Sequence, residues 1–490
     1  MGNLNSSIIG VALVANIVLL FGLAFWVRGR IATSEDYLVA GRRLGLPLAA
    51  TTLFATWFGA GTLLVATDEV RSEGLRAAAL DPIGAGCCLL LAGAFFAVPL
   101  WRMKLLTLAD FYRVRFGARA ETLGALLMVP GYFGWIAAQF VALASLLELL
   151  FGIDPVVGLP IVAIVGTGYT LIGGMWSVVV TDALQTALLL LGLIVIAVVA
   201  LLTLGDGNAT AGWLRILDQT PPDRLALVPL DDAESLLGWL AILAAGALGN
   251  LPGQDLMQRI FASRSAAIAR RACILAGLAY LVFGAIPVGL GLAAAVLAPG
   301  DDRAILPILA GLLLHPAGAV IFVLAVVSAV LSTIDSAILA PAGVIAENLL
   351  QRLPQRGLSR LGLDRISVLG VSLASLAVAY LGQDAWTLLE TAYEVGLVSL
   401  LVPLAMGLAS PRGREPSALA AMTVGTLVWL AHLLMGWEWF AEPWLRDGMG
   451  VVLPVGLSSA TCALAAYLGV SGGQHRSGQS LVDDQGPARG

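Results

Sequence analysis

Thirteen apolar stretches, each long enough to cross a lipid hydrocarbon core, recur along the 490 residues. About 20 such residues make one helical crossing. They lie near 7–28, 46–68, 76–101, 121–152, 155–173, 178–205, 234–258, 268–298, 316–345, 364–382, 386–408, 416–436 and 448–470, and are numbered here as runs 1 to 13. No soluble fold can bury so many apolar helices. The charge content agrees, with 12% Asp, Glu, Lys and Arg against about 25% in a soluble domain. A soluble enzyme, a nucleic-acid binder and a disordered chain are thereby excluded. The expected fold is an all-α polytopic membrane protein. Run 1 has neither a basic n-region nor an A-x-A site, so it reads as a membrane helix and not a removed signal peptide. Cys87, Cys88, Cys273 and Cys462 sit in apolar runs without CxxC spacing and read as small buried hydrophobes.

Basic residues give the expected orientation. Of the 27 Lys and Arg, 21 fall in loops that follow odd-numbered runs or in the C-terminal tail. Such loops face the cytoplasm. The N-terminus is then outside and the C-terminus inside, in a multi-pass protein of the plasma (inner) membrane. Loop 206–233 reads as a solvated cap. The polar segment 471–490 reads as a disordered cytoplasmic tail on one transmembrane domain, 1–470. The implied partners are the bilayer and a small-molecule solute, with no nucleic acid and no obligatory protein partner.

Two runs are interrupted. Run 2 carries Gly59 and Gly61 in ATWFGAG, and run 7 carries Gly246, Gly249, Pro252 and Gly253 in GALGNLPG. Proline removes a helix donor and glycine holds a helix weakly. Freed backbone groups survive at membrane depth only when buried or lining a wet cavity. Runs 2 and 7 are five apart; taking runs 2–6 and 7–11 as two five-helix halves, both breaks fall in the first helix of a half, and the odd number of helices makes the halves inverted. Interrupted helices at matching positions are the sequence mark of a secondary transporter's site.

Polar residues inside the runs supply candidate ligands. Run 9 holds Ser328, Ser332, Thr333, Asp335 and Ser336. Hard cations take oxygen ligands from hydroxyls, carboxylates and freed carbonyls; hydroxyls bonding back to their own helix are the structural alternative. Asp81, Asp182, Glu390 and Glu394 are intramembrane carboxylates, costly in lipid and therefore informative. Asp255 is read as a local i,i+4 ion pair with Arg259. Three scattered histidines and the absence of HExxH or GxxxxGK[ST] leave no catalytic constellation.

The blocks DYLVAGRRLG (36–45), ATWFGAG (55–61), TLADFYRVRFG (107–117), YTLIGGMWSVVVTDALQ (169–185), QRIFASRS (258–265), ILPILAGLL (305–313) and VSAVLSTIDSAILA (327–340) resemble the sodium:solute symporter family. The resemblance implies thirteen helices in a LeuT-type 5+5 inverted repeat. It implies Na⁺ as coupling ion, with no organic cofactor. It implies sodium-binding carbonyls from Ala55, Phe58 and Ala329, hydroxyls from Ser332 and Thr333, and a sodium exit past Asp182. Run 2 and ALDPIG (79–84) are most similar to the high-affinity choline transporter branch. Of that branch's aromatic cage Trp57 is kept, and the other positions are Ala85, Ala138 and Gly253. The expected substrate pocket is Trp57, Asp81, Ala85, Trp135, Gln139, Gly253, Gln254 and Glu394, suited to a zwitterionic or cationic metabolite. The expected function is Na⁺-coupled symport by alternating access, not enzymatic. A proton-coupled carrier on the same fold and a non-transporting receptor are the alternatives.

Overall fold

The computed structural model describes residues 6–299, 304–352, 359–382 and 385–483. Among these residues the chain is helical nearly throughout. The β contacts are isolated bridges, Leu44 with Ser263 and Trp439 with Pro454. The last helix runs Val455–Asp483, and residues 484–490 of the expected tail lie outside the described residues. The four cysteines are free.

Eleven described helices are long and apolar enough to cross a membrane, or twelve when the bent pair Leu46–Trp57 and Gly61–Glu73 is one crossing. The expectation was thirteen runs. The difference lies in Pro155–Leu204, a single 50-residue element that holds both run 5 and run 6. A straight helix of that length would reach about 75 Å, more than twice the hydrocarbon thickness. The element is not straight, because Gly174 stands at φ 48, ψ −149. The Tyr169 hydroxyl donates to the Leu331 carbonyl, while Asp182 accepts from the adjacent Ser332. On a straight helix, residues 169 and 182 would be about 20 Å apart along the axis. They meet the same turn of run 9 because the chain folds back at Gly174. A Cβ there would also stand 2.5 Å from the Tyr37 ring.

Run 9, within Pro316–Leu349, is the axis of the bundle. Its apolar window is 78% buried, whereas that of run 1 is 17% buried and lies at the periphery. Both expected interruptions are present. Run 2 stops at Trp57, resumes at Gly61 and bends by 55°. Phe58 between them leaves helical geometry at ψ 58. Run 7 loses its helix after Gly249 and restarts at Gln254. Small residues let these broken backbones touch their neighbours. A Cβ on Gly246 would stand 2.4 Å from the Leu80 carbonyl oxygen, and one on Gly396 2.0 Å from that of Gly249. Runs 3, 7 and 11 therefore meet backbone to backbone at the second break.

Candidate functional site

The first break faces run 9. Where helix pairing stops at Trp57, the neighbours satisfy the freed groups. The Ala60 N–H donates to Gln139 Oε1 at 3.0 Å, and the Tyr280 hydroxyl donates to the Trp57 carbonyl at 2.9 Å. Thr333 presses on Gly59 so closely that a Cβ there would lie 2.1 Å from Thr333 Oγ1. Ala55, Phe58, Ala329 and Ser332 line one cavity of about 10 Å³ with Phe54, Gln185, Thr186 and Leu189. That is close to the smallest space that holds one water-sized particle.

Thr333 adjoins this cavity. Its Oγ1 lies 3.4 Å from the Ala55 oxygen and 3.2 Å from the Ala329 oxygen. A hydroxyl has one proton to donate, and O–H···O bonds centre near 2.7–2.8 Å. Both separations are long for such bonds. The Ala329 contact is the back-bond to the carbonyl four residues earlier that hydroxyls in membrane helices make, while the 3.4 Å to the Ala55 oxygen falls within the roughly 3.3–3.7 Å edges given by metal–oxygen distances of about 2.3–2.6 Å at right angles. Asp182 is fully buried beneath this cluster. It accepts from Thr52 Oγ1 at 2.5 Å and from the Ser332 hydroxyl. With its proton directed at Asp182, Ser332 Oγ keeps its lone pairs for the cavity.

The second break lines another cavity, of about 50 Å³. Its walls include Tyr132, Trp135, Gly253, Asp255 and Tyr393. Asp255 Oδ2 accepts from the Trp57 indole N–H, and Oδ1 accepts from the Tyr132 hydroxyl. One carboxylate thus ties runs 2, 4 and 7 together. The expected Asp255–Arg259 ion pair is not formed. Arg259 donates instead to the Asp255 backbone carbonyl at 3.2 Å and to Ser336 Oγ at 2.6 Å.

Of the eight expected pocket residues, Trp135 and Gly253 line this cavity and Trp57 reaches it through Asp255. The other five are placed elsewhere. Asp81 accepts from Thr62 Oγ1 at 2.8 Å behind the first break, where the Tyr280 hydroxyl that serves the Trp57 carbonyl also lies 3.1 Å from its Oδ1. Ala85 is buried in the core. Gln139 caps the first break, and Gln254 Oε1 accepts from the Leu108 N–H at 2.6 Å, away from the cavity. Glu394 accepts from Trp429 Nε1 at 2.8 Å and lines a separate hollow of about 350 Å³. Asp255, Tyr132 and Tyr393 line the cavity and were not among the expected pocket residues. Tyr132 was within reach, since it precedes Trp135 by three residues on one helix face.

Two interrupted helices, each beside a small cavity and packed around one buried axial helix, define a polytopic membrane protein of LeuT-type architecture. A family model described as the sodium:solute symporter family matches residues 37–425, and the chain belongs to that family. It is 30% identical over 336 residues to the human high affinity choline transporter 1, covering 65% of this chain and 56% of that protein. The matched stretch thus spans little more than half of that relative. It is 26% identical to the Escherichia coli sodium/pantothenate symporter, over 85% of this chain and 89% of that one. Among solved structures, the substrate-bound outward-open state of a Na⁺-coupled sialic acid symporter superposes with a TM-score of 0.75 at 19% identity, covering 95% of this chain and 97% of that one.

Proposed function

We propose that the protein is a secondary active transporter that couples inward movement of Na⁺ to uptake of a small organic solute by alternating access. The observation that carries this reading is the water-sized cavity between the first break and run 9, walled by Ala55, Phe58, Ala329 and Ser332 and adjoined by Thr333. In this reading the five residues ligate Na⁺, and Asp182 receives it on its way to the cytoplasm. The ion and solute sites are linked through adjacent residues. Phe58 offers its carbonyl to the ion, and Trp57 before it donates to Asp255 on the second cavity. Na⁺ binding that fixes residues 55–59 also fixes the Trp57 indole against the solute cavity. Binding energy in one site is thereby felt in the other.

The energetics suffice with one ion. One charge moving through 100 mV yields about 2.3 kcal/mol, and a tenfold Na⁺ gradient adds about 1.4 kcal/mol. Together they sustain accumulation of a neutral solute by roughly 500-fold. The chain is read as one transmembrane domain, 1–470, in the plasma (inner) membrane. Its arginine-rich loops and C-terminus are cytoplasmic and its N-terminus outside, as the basic-residue distribution supports.

The test is thermal unfolding of the purified protein in Na⁺ against K⁺ at equal ionic strength. A ligand that binds the folded state raises Tm by mass action. A Na⁺-specific rise is expected in the wild type and its loss in Ser332→Ala/Thr333→Ala. A Na⁺-specific rise that survives both substitutions refutes the ion site. A protein whose Tm is indifferent to Na⁺ but raised by a solute is a proton-coupled carrier or a receptor.

A further inference from the structure

We infer that the solute is a small protonated amine and that Asp255 is the counter-charge that recognises it; the inference rests on the transporter reading above. Asp255 stands in the first turn of the half-helix Gln254–Ala262, with its carboxylate on the cavity wall. Both of its oxygens accept hydrogen bonds, from the Trp57 indole and the Tyr132 hydroxyl, and both donors are neutral. The indole N–H can only donate, so Oδ2 is an acceptor there. The nearest cation on the same helix, Arg259, is committed to the Asp255 backbone carbonyl and to Ser336. No Lys, Arg or His is among the residues lining this cavity. The helix N-terminus and two neutral donors hold the carboxylate in place, and no cationic side chain lines the cavity beside it.

The remaining walls favour a cation. Tyr132, Trp135 and Tyr393 line the cavity, and aromatic ring faces attract positive charge. The carbonyl that Pro252 leaves without its helical donor, that of Leu248, accepts from the Leu251 N–H instead, so Asp255 supplies the cavity's charged acceptor. A site with a charged acceptor and no cationic donor suits a ligand that donates. Each Asp255 oxygen has one further lone pair, which an ammonium N–H meets as a charge-assisted bond. A quaternary ammonium has no N–H to offer, and a free carboxylate would face the Asp255 charge. The cavity, of about 50 Å³, suits a small ligand.

The experiment uses the full-length purified chain in Na⁺. Its Tm is recorded with ethanolamine, propylamine and putrescine. The comparison set is their uncharged carbon isosteres, choline as the quaternary probe, and acetate and β-alanine as anionic and zwitterionic probes. The expected result is that at least one amine raises Tm beyond Na⁺ alone while its isostere does not. In Asp255→Asn, the concentration of that amine needed for half the effect rises by about tenfold or more. Enlargement of the Na⁺ effect only by neutral, quaternary, anionic or zwitterionic probes overturns the inference. So does a Na⁺ effect that no amine enlarges, or an amine effect unchanged in Asp255→Asn. The wild-type isostere comparison decides the matter if the variant does not fold. Loss of any Na⁺-specific effect in the wild type refutes the transporter reading instead, so the two failures are distinguishable.

Discussion

Replacing Gly59 by alanine tests whether the contact between the first break and run 9 is where Na⁺ binds. The new Cβ would lie 2.1 Å from Thr333 Oγ1, 2.7 Å from its Cβ and 2.9 Å from its Cγ2. Ordinary contact requires about 3.5 Å, so the hydroxyl and Gly59 must separate by more than 1 Å. Thr333 is β-branched and buried on the axial helix, with little rotamer freedom. Either Thr333 swings away from the Ala55 and Ala329 carbonyls or the broken segment carrying Ala55 and Phe58 shifts. Both movements open the oxygen cluster. Overpacking of this kind costs about 1–3 kcal/mol. If that cost falls on the closed geometry that binds the ion, Na⁺ affinity drops by about 5- to 150-fold. A Na⁺ titration of Tm at constant ionic strength reads this as a rise in half-saturating concentration. Gly22→Ala, which meets nothing within 4 Å, is the control and should leave it unchanged. Adding Thr333→Ser to Gly59→Ala removes the branch and frees the hydroxyl to rotate, so part of the affinity should return. A folded Gly59→Ala protein with wild-type half-saturation would refute the ion-site reasoning.

Further outcomes follow from single contacts. Gly396→Ala sets a methyl 2.0 Å from the Gly249 carbonyl oxygen, a backbone atom that cannot rotate away; the yield of monodisperse protein should collapse on size exclusion, whereas Gly370→Ala, in open space, should be tolerated. Gln139→Leu strands the buried Ala60 N–H, for about 1–3 kcal/mol and a measurably lower Tm; an unchanged Tm would show that the cap is dispensable. Asp182→Asn can no longer accept freely from both Thr52 and Ser332, so release of tracer Na⁺ to the inner side of proteoliposomes should slow by about tenfold, and wild-type release would remove Asp182 from the route. Asp232 caps the helix Ala233–Ala244 by accepting from the Ser235 amide, and that amide and the Ser235 hydroxyl hold its carboxyl below the usual range. The cap is therefore present at neutral pH and lost as the carboxylate is protonated in acid; protection of the amides at 233–236, taken relative to their intrinsic exchange rates at each pH, should fall in acid for the wild type and be low at every pH for Asp232→Ala.

The parts of the site legible in the sequence are those whose chemistry is local. A glycine pair inside run 2 and a Pro-Gly step inside run 7 weaken helix pairing wherever the rest of the chain goes, and both helices break there. Ser332 and Thr333 are costly in an apolar helix unless they have partners, and they stand together on the axial helix opposite the first break. The cavity at the second break was less legible. Asp255 has Arg259 one turn away, and an i,i+4 ion pair is the natural reading of that spacing. Which way each side chain turns depends on Trp57, Tyr132 and Ser336, which lie 77 to 198 residues away in sequence. Gln139, Gln254 and Glu394 carry the same polar signal as a pocket residue, yet each answers a distant donor outside the cavity.

By itself the sequence determined that the chain is an all-helical membrane protein, where its helices are interrupted, and which residues cannot face lipid unpaired. Those follow from solvation: hydrocarbon accepts long apolar helices and rejects unsatisfied polar groups. Only the tertiary structure decided that residues 155–204 fold back at Gly174, that the two breaks enclose separate cavities, and that Asp255 turns to aromatic donors on runs 2 and 4 and not to its own arginine. Lipid is equally apolar to every helix, so composition cannot choose partners among them. Backbone approach at small residues and the pairing of buried polar groups make that choice.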